Sequence, residues 1–349
     1  MQQITIGSRH IGAGNPPYII AEMSANHGGD KARAMRIIDV AAHAGADAIK
    51  FQAYTPDSMT LDVALPGFVI EADNPWKGRR LYELYAEAST PYDWFPELFQ
   101  HAREKGIEPF ATPFDIEAVR MLEGLNARAY KIASFEAIDL DLIHACASTG
   151  KPLIISTGLC SSEEISLSIE TARAAGASQI VVLKCNSAYP ANPEEANLLT
   201  IPDMAEKFGV PIGYSDHTLG VAVAVSACAL GACVVEKHVI DARTPKTADS
   251  EFSALPHELE RLVLECRQAH QARGDVKYGP TQREIGSLVF RRSLYATADI
   301  AAGETFSARN VRAIRPGFGL HPKEGPRVMG RKAARLIRRG EPVSWDQVE

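Results

Sequence analysis

The chain lacks the glycine patterns that cradle nucleotides: neither Gly-x-Gly-x-x-Gly nor a Walker loop occurs in its 349 residues. A dinucleotide or nucleoside triphosphate is therefore not an expected ligand. It also lacks any Cys-x-x-Cys pair. The six cysteines (Cys146, Cys160, Cys185, Cys228, Cys233 and Cys266) sit mostly in apolar runs, where a reduced thiol packs as a small hydrophobe. That speaks against a disulfide framework and for a reducing compartment. The opening Met1-Gln2-Gln3-Ile4 has neither the basic nor the apolar region of a signal peptide. One stretch, Thr218 to Val235, runs 18 residues without a charge, at the edge of the ~18–20 needed to span a bilayer. It is built mostly of Ala, Val, Gly and Cys, and Gly231 divides it into a helix and a strand. The net charge of −6 offers nucleic acid nothing. A cytoplasmic protein with no membrane or nucleic-acid partner is the expectation.

What is present is an alternation of short apolar runs with helix-length segments. The runs are Tyr18–Met23, Ala48–Tyr54, Glu108–Thr112, Ala129–Ala133, Leu153–Thr157, Ile180–Cys185, Pro211–Tyr214 and Cys233–His238. Helical patterns between them include Lys31–Ala44, Pro91–Lys105, Ile138–Ser148, Ser162–Ala175 and Leu219–Leu230, and Pro256–Arg273 completes the set. Eight such units predict an α/β protein, a (β/α)8 TIM barrel. A long insertion, Thr55 to Thr90, with turn chemistry at Asp73-Asn74-Pro75-Trp76-Lys77-Gly78, is expected to be a loop over the site.

After a linker, Gly274 to Gly286, the pattern becomes short and strand-like. Asp299–Glu304 and Leu336–Glu341 resemble each other, each ending in a Gly-Glu turn. The expected division is therefore 1–279 for the barrel and 280–349 for linker and second domain. Residues from Pro280 onward carry 13 Lys/Arg against 7 Asp/Glu, whereas the rest carry a net −12. Opposite charges on two segments suggest that they face each other, within or between subunits, although an ordinary solvated surface would read the same.

Active sites of such barrels form at the C-terminal ends of the strands, and there this chain is polar. Glu22, Thr112, Lys131, Ser134, Ser156 and Ser187 end strands one and three to six. Period two puts Lys50 with Gln52, Ser215 with His217, and Glu236 with His238 on shared faces. Two lysines pointing into a barrel need partners. Either barrel glutamates pair with them, or an anion such as a phosphate or carboxylate sits at the mouth. His217 and His238 end strands seven and eight, ~4.8 Å apart in a closed sheet, so they are either a hydrogen-bonded pair or two ligands of one metal. Two nitrogens leave most of an octahedral shell open, which suits Mn²⁺ or Mg²⁺ with an oxygen-rich substrate better than closed zinc. His27, after strand one, is a third ligand or a substrate contact. A Schiff-base lysine also stays open on composition.

These segments resemble the sialic acid (nonulosonate) synthase family. The similarity runs through Ile19–His27, Lys50-Phe51-Gln52, Thr112-Pro113-Phe114, Lys131-Ile132-Ala133-Ser134, Ser156-Thr157-Gly158, Ser215-Asp216-His217-Thr218 and Glu236-Lys237-His238. At the C-terminus, Arg312–Gly317 resembles the family's antifreeze-like (SAF, β-clip) domain. Within the family, Glu22-Met23-Ser24 followed by Asn26-His27 is similar to the pseudaminic acid branch, where other branches usually read Glu-Ile-Gly or Glu-Ala-Gly. Trp76-Lys77-Gly78, Leu81–Tyr85, Phe290–Tyr295 and Arg315–Leu320 point the same way. One departure is Asn186, where that branch usually carries Thr. Ser187 then falls where sialic acid synthases place an Asn that binds phosphoenolpyruvate.

The resemblance implies condensation of phosphoenolpyruvate with an open-chain amino sugar, here 2,4-diacetamido-2,4,6-trideoxy-L-altrose, with a divalent metal, Mn²⁺ or Mg²⁺, on His217 and His238. It implies Lys50, Thr112, Lys131, Ser134, Ser156, Ser187 and Ser215 for phosphoenolpyruvate. For the sugar it implies Gln52, Asn26, His27, Tyr189 and Arg315, and for orienting water, Glu22 and Asp249. In the family the small domain crosses to the partner of a dimer, so a domain-swapped homodimer with a shared Arg315 is expected. Other nonulosonic acids, such as legionaminic or N-acetylneuraminic acid, are the alternative products, and a Schiff-base aldolase on Lys131 is a further reading.

Overall fold

Eight parallel strands close on themselves in sequence order, the last pairing with the first. They are β1 (Tyr18–Glu22), β2 (Ala48–Ala53), β3 (Glu108–Pro113), β4 (Tyr130–Ile132), β5 (Leu153–Ser156), β6 (Ile180–Cys185), β7 (Ile212–Asp216) and β8 (Val234–His238). Each differs from the expected run by at most two residues at either end. The computed structural model describes residues 3–71 and 76–349; Asp73, Asn74 and Pro75 of the expected turn lie outside them.

Strand period explains the two faces. Ile19, Ala21, Ile49, Phe51, Tyr130, Ile132 and Val235 point outward into the core shared with the helices. Tyr18, Ile20, Ala48, Phe110, Ile154, Val181 and Val234 point inward and fill the barrel. Continuing the inward series by two or four residues brings Glu22, Lys50, Thr112, Ser156, Glu236 and His238 to the barrel's C-terminal mouth. An antiparallel pair that the sequence pattern did not reveal, Ile4–Ile6 with Arg9–Ile11, packs Ile4, Ile6 and Ile11 against the same interior. Its turn needs Gly7, whose φ is 58°.

The uncharged stretch after His217 is a helix, Ala222–Ala229, followed by Gly231 at φ 111° and then β8. No helix among the described residues is long and apolar enough to cross a membrane. The 55–90 insertion is more ordered than a loop. It holds a turn of helix at Pro56–Met59, closed by a Thr55–Ser58 capping box, and a two-turn helix at Leu81–Ala88.

The chain divides into two compact units, Met1–Gly274 and Asp275–Glu349. The second pairs Ser293–Ala296 with Val311–Ile314 over a small core that includes Leu294, Phe306, Val328 and Val343. The two similar segments meet there: Ile300 and Ile337 exchange backbone hydrogen bonds of 2.8 and 2.9 Å. Their turns match as well, since the Glu304 and Glu341 carboxylates accept the amides of Ala301 and Arg338, after Gly303 and Gly340 at φ 80° and 89°.

Candidate active site

The barrel mouth holds four buried charged side chains in one cluster. Lys50 Nζ lies 2.7 Å from Glu22 Oε2 and 3.4 Å from Glu236 Oε1, and donates to Thr112 Oγ1 at 3.1 Å. Lys131 Nζ donates to Ser156 Oγ at 2.6 Å and lies 3.7 Å from Glu236 Oε2. The lysines thus have glutamate partners, one of the two readings left open by the sequence. Burial, reinforced by Glu236 and opposed by Lys50, lifts Glu22 to about 7. Glu236 is held below its usual range because Lys131 and Lys50 outweigh its burial. Burial lowers Lys131, whereas Glu22 and Glu236 outweigh burial at Lys50 and raise it. Two buried lysines, two carboxylates and the hydroxyls of Thr112 and Ser156 thus stand together at the mouth, donors that suit an anion.

Hydroxyls surround this cluster. Ser134 Oγ accepts the Gly158 amide at 3.1 Å, and Ser215 stands in register with both Glu236 and Cys185 on the neighbouring strands. Gly158 is needed for close approach, because a Cβ there would overlap the hydroxyls of Ser187 and Ser134. Gly158→Ala is expected to raise the KM for the anionic substrate about tenfold or more through loss of one or two hydrogen bonds, checked by steady-state kinetics. Asn186 turns away: its Oδ1 accepts from Lys184 and its amide donates to the Glu195 carbonyl. Ser187 faces the cavity instead.

The imidazoles of His217 and His238 lie 5.3 Å apart, centroid to centroid. His217 Nδ1 is 2.8 Å from the Asn186 carbonyl oxygen, to which it donates, so Nε2 is the nitrogen left for a ligand. Against burial, Cys185 and this bond raise the ring from its ordinary value. The buried Nδ1 of His238 has no hydrogen-bond partner, and Asp249 Oδ2 lies 3.9 Å away. Burial and the surrounding cations push His238 well below its usual range, so its ring is neutral. Among the described residues no group of three or more His, Cys, Asp or Glu forms a metal cage. The pair fits an ion that draws the rest of its shell from water and substrate oxygens.

One layer out, on the helix-facing side, lies a buried ion pair. Lys237 Nζ lies 2.7 Å from Asp216 Oδ2 and 2.6 Å from the Thr218 carbonyl. Asp216 Oδ1 accepts the Thr218 amide and hydroxyl at 2.9 and 2.7 Å. These are the chain neighbours of His217 and His238, so the pair fixes both histidine backbones.

Above the mouth is a cavity of about 410 Å³, lined by Gln52, Ser187, Tyr189, His238 and Asp249 among others. The insertion forms part of its wall. Tyr189 packs against His217 with centroids 4.4 Å apart and the ring planes tilted by 49°. Asn26 and His27, expected to touch the sugar, are not among the residues lining this cavity, and their side chains are engaged with protein groups. Asn26 donates to Val239 O and Ser253 Oγ and accepts from Thr247. His27 spends Nδ1 on the Gly29 amide and Nε2 on Thr90, which also leaves no nitrogen for a metal. Burial, with Arg33 nearby, lowers it to about 4. Arg315 belongs to the second unit, where it is exposed.

Among the lining residues that the sequence reading did not assign to the site are Glu136 and Ser24. Glu136 has a buried Oε2 without a partner and is raised to about 7 by burial. It stands in the turn at residues 134–138 after β4, where strand period no longer applies. Ser24 sits at φ 46°, a left-handed conformation costly for any residue but glycine. That is the position where other branches read glycine.

The family model described as "NeuB family" matches residues 37–278, and a SAF domain model matches residues 291–349. The chain belongs to the NeuB family. It is 44% identical over 324 residues to a pseudaminic acid synthase of Campylobacter jejuni, covering 93% of this chain and 94% of that one. It is 40% identical to a pseudaminic acid synthase of Helicobacter pylori, covering 96% and 98%. Among solved structures, the N-acetylneuraminic acid synthetase of Leptospira borgpetersenii, in complex with citrate, superposes with a TM-score of 0.73 at 36% identity. That match covers 82% of this chain and 95% of the other.

Proposed function

We propose that this NeuB-family enzyme is a pseudaminic acid synthase, condensing phosphoenolpyruvate with 2,4-diacetamido-2,4,6-trideoxy-L-altrose to give pseudaminic acid and phosphate. The observation that carries the reading is the buried cluster of Lys50, Lys131, Glu22 and Glu236 at the barrel mouth, with a cavity of about 410 Å³ above it. The identity of its relatives selects the sugar.

Lys50 and Lys131, with the hydroxyls of Thr112, Ser134, Ser156, Ser187 and Ser215, hold phosphoenolpyruvate so that C3 faces the aldehyde carbon. Gln52, Tyr189 and Glu136 hold the sugar. His217 and His238 would hold Mn²⁺ or Mg²⁺, which when bound would supply Lewis acidity toward the aldehyde. The C3–C1 bond forms, leaving an oxocarbenium at C2. Glu22 and Asp249 orient the water that adds there. Glu22, near 7, is poised to take its proton. The C2–O bond then breaks and phosphate leaves with the bridging oxygen.

That bond choice is testable. With ¹⁸O in the bridging position of phosphoenolpyruvate, the label is expected in released phosphate by mass spectrometry. Label retained in the sugar product would exclude this course. A Schiff-base aldolase on Lys131 would consume free pyruvate and release no phosphate.

The basic C-terminal unit supports a swapped homodimer in which Arg315 enters the partner's site and meets an acetamido carbonyl. Arg315→Ala should raise the KM for the sugar by about 10- to 100-fold, far more than that for phosphoenolpyruvate. Mixing Arg315→Ala with His217→Ala protein should recover activity, since a mixed dimer regains one complete site. No recovery after verified subunit exchange would contradict sharing.

A further inference from the structure

The wall that the insertion gives the cavity differs in chemistry from the wall given by the strand ends. The strand-end side offers Gln52, Glu136, Ser187, His238 and Asp249. From the insertion come Met59, Ile70, Leu81, Leu84, Tyr85 and Ala88. Four of these are spaced i, i+3, i+4 and i+7 along the helix Leu81–Ala88, so one whole face of that helix is turned to the cavity. No charged residue comes from the insertion among the described lining. Trp76 is there too, but its indole N–H is directed to the Ala248 carbonyl at 3.3 Å. Tyr85 packs edge-on to Tyr54 at 5.9 Å, and Tyr54 on Phe114 at 5.2 Å, extending the apolar surface.

This asymmetry orients an open-chain sugar. Its C1 aldehyde must face the histidines and the lysine cluster, where the new bond forms, so its far end meets the insertion. The aliphatic side chains of Met59, Ile70, Leu81 and Leu84 offer a hydroxymethyl group no hydrogen bond, so burying it against them costs more than burying a methyl group.

We infer that the insertion, through the apolar face of Leu81–Ala88 with Met59 and Ile70, is a specificity element that recognises the C6 methyl of a 6-deoxy sugar and rejects its 6-hydroxy counterpart. The inference rests on the synthase reading above and adds which residues read the deoxy end. An apolar pocket discriminates against an added hydroxyl by roughly 10- to 100-fold, so the selection is real but modest.

The test compares phosphate release from phosphoenolpyruvate with two sugars, 2,4-diacetamido-2,4,6-trideoxy-L-altrose and the same sugar bearing a C6 hydroxyl. The 6-deoxy sugar should show about 10- to 100-fold higher kcat/KM, mostly through KM. Leu81→Asn should narrow that ratio to within a few-fold, chiefly by raising the KM of the deoxy sugar, with the KM for phosphoenolpyruvate held. Met59→Asn, at the end of a separate helical turn, repeats the measurement should Leu81→Asn fail to fold. Equal kcat/KM for both sugars, or a ratio untouched by the variants, overturns the inference while leaving the synthase reading standing. Phosphate release with neither sugar overturns both.

Discussion

Alanine at His217 or His238 is expected to lower turnover by about three orders of magnitude or more, the scale of losing an electrostatic stabiliser of developing charge, while the barrel stays folded. The two rings pack with Tyr189 and Phe252 in a small cluster apart from the main hydrophobic core. They lie at the mouth, and the buried Nδ1 of His238 makes no hydrogen bond to lose. His217 gives up one bond, to the Asn186 carbonyl, worth about 1 kcal/mol. Thermal unfolding should therefore move by only a few degrees, whereas manganese binding, followed by the loss of the free-ion paramagnetic resonance signal, should weaken sharply. Adding a chelator to the unmodified enzyme should reproduce the loss of turnover, and Mn²⁺ should restore it. Full activity of either variant in chelator-treated buffer would remove the metal from the mechanism.

The residues behind that prediction were legible in the sequence because the barrel is regular. An apolar run of period two ends where its inward series turns polar, so Lys50, Glu236 and His238 identify themselves once the strands are known. Period also separates Lys237 from His238, one outward and one inward. What stayed hidden had no such signal. Asn26 and His27 look like site residues because they follow a strand end. The turn they occupy, however, directs them into the seam with the segment 239–253 and Thr90. Glu136 lies beyond the end of β4, where period alone gives little warrant. The hairpin at residues 4–11 has only three-residue strands, too short for periodicity to register. The helix Leu81–Ala88 has helical spacing at Leu81, Leu84, Tyr85 and Ala88 but only two turns, too short to stand out inside an insertion read as a loop.

Breaking the Lys237–Asp216 pair should damage stability more than any other single polar change in the barrel. The two residues stand opposite each other in register on β8 and β7, both almost wholly buried, with the apolar helix Ala222–Ala229 against these strands. Neither charge reaches water. Lys237→Met would leave the Asp216 carboxylate with only the amide and hydroxyl of Thr218. Asp216→Leu would leave an ammonium with a single carbonyl. Losing one partner of such a buried pair costs about 3–5 kcal/mol, against at most about 1 kcal/mol for an exposed one. Urea unfolding followed by circular dichroism should show each single variant shifted by that amount at unchanged m. The double variant Lys237→Met with Asp216→Leu should recover most of the loss, because no unpaired charge remains. It should not recover manganese affinity in full, since the Thr218 anchor that fixes the backbone beside His217 is gone. Single variants less than about 1 kcal/mol below the parent would show the pair to be solvated, and its hold on the two histidines would fall with it.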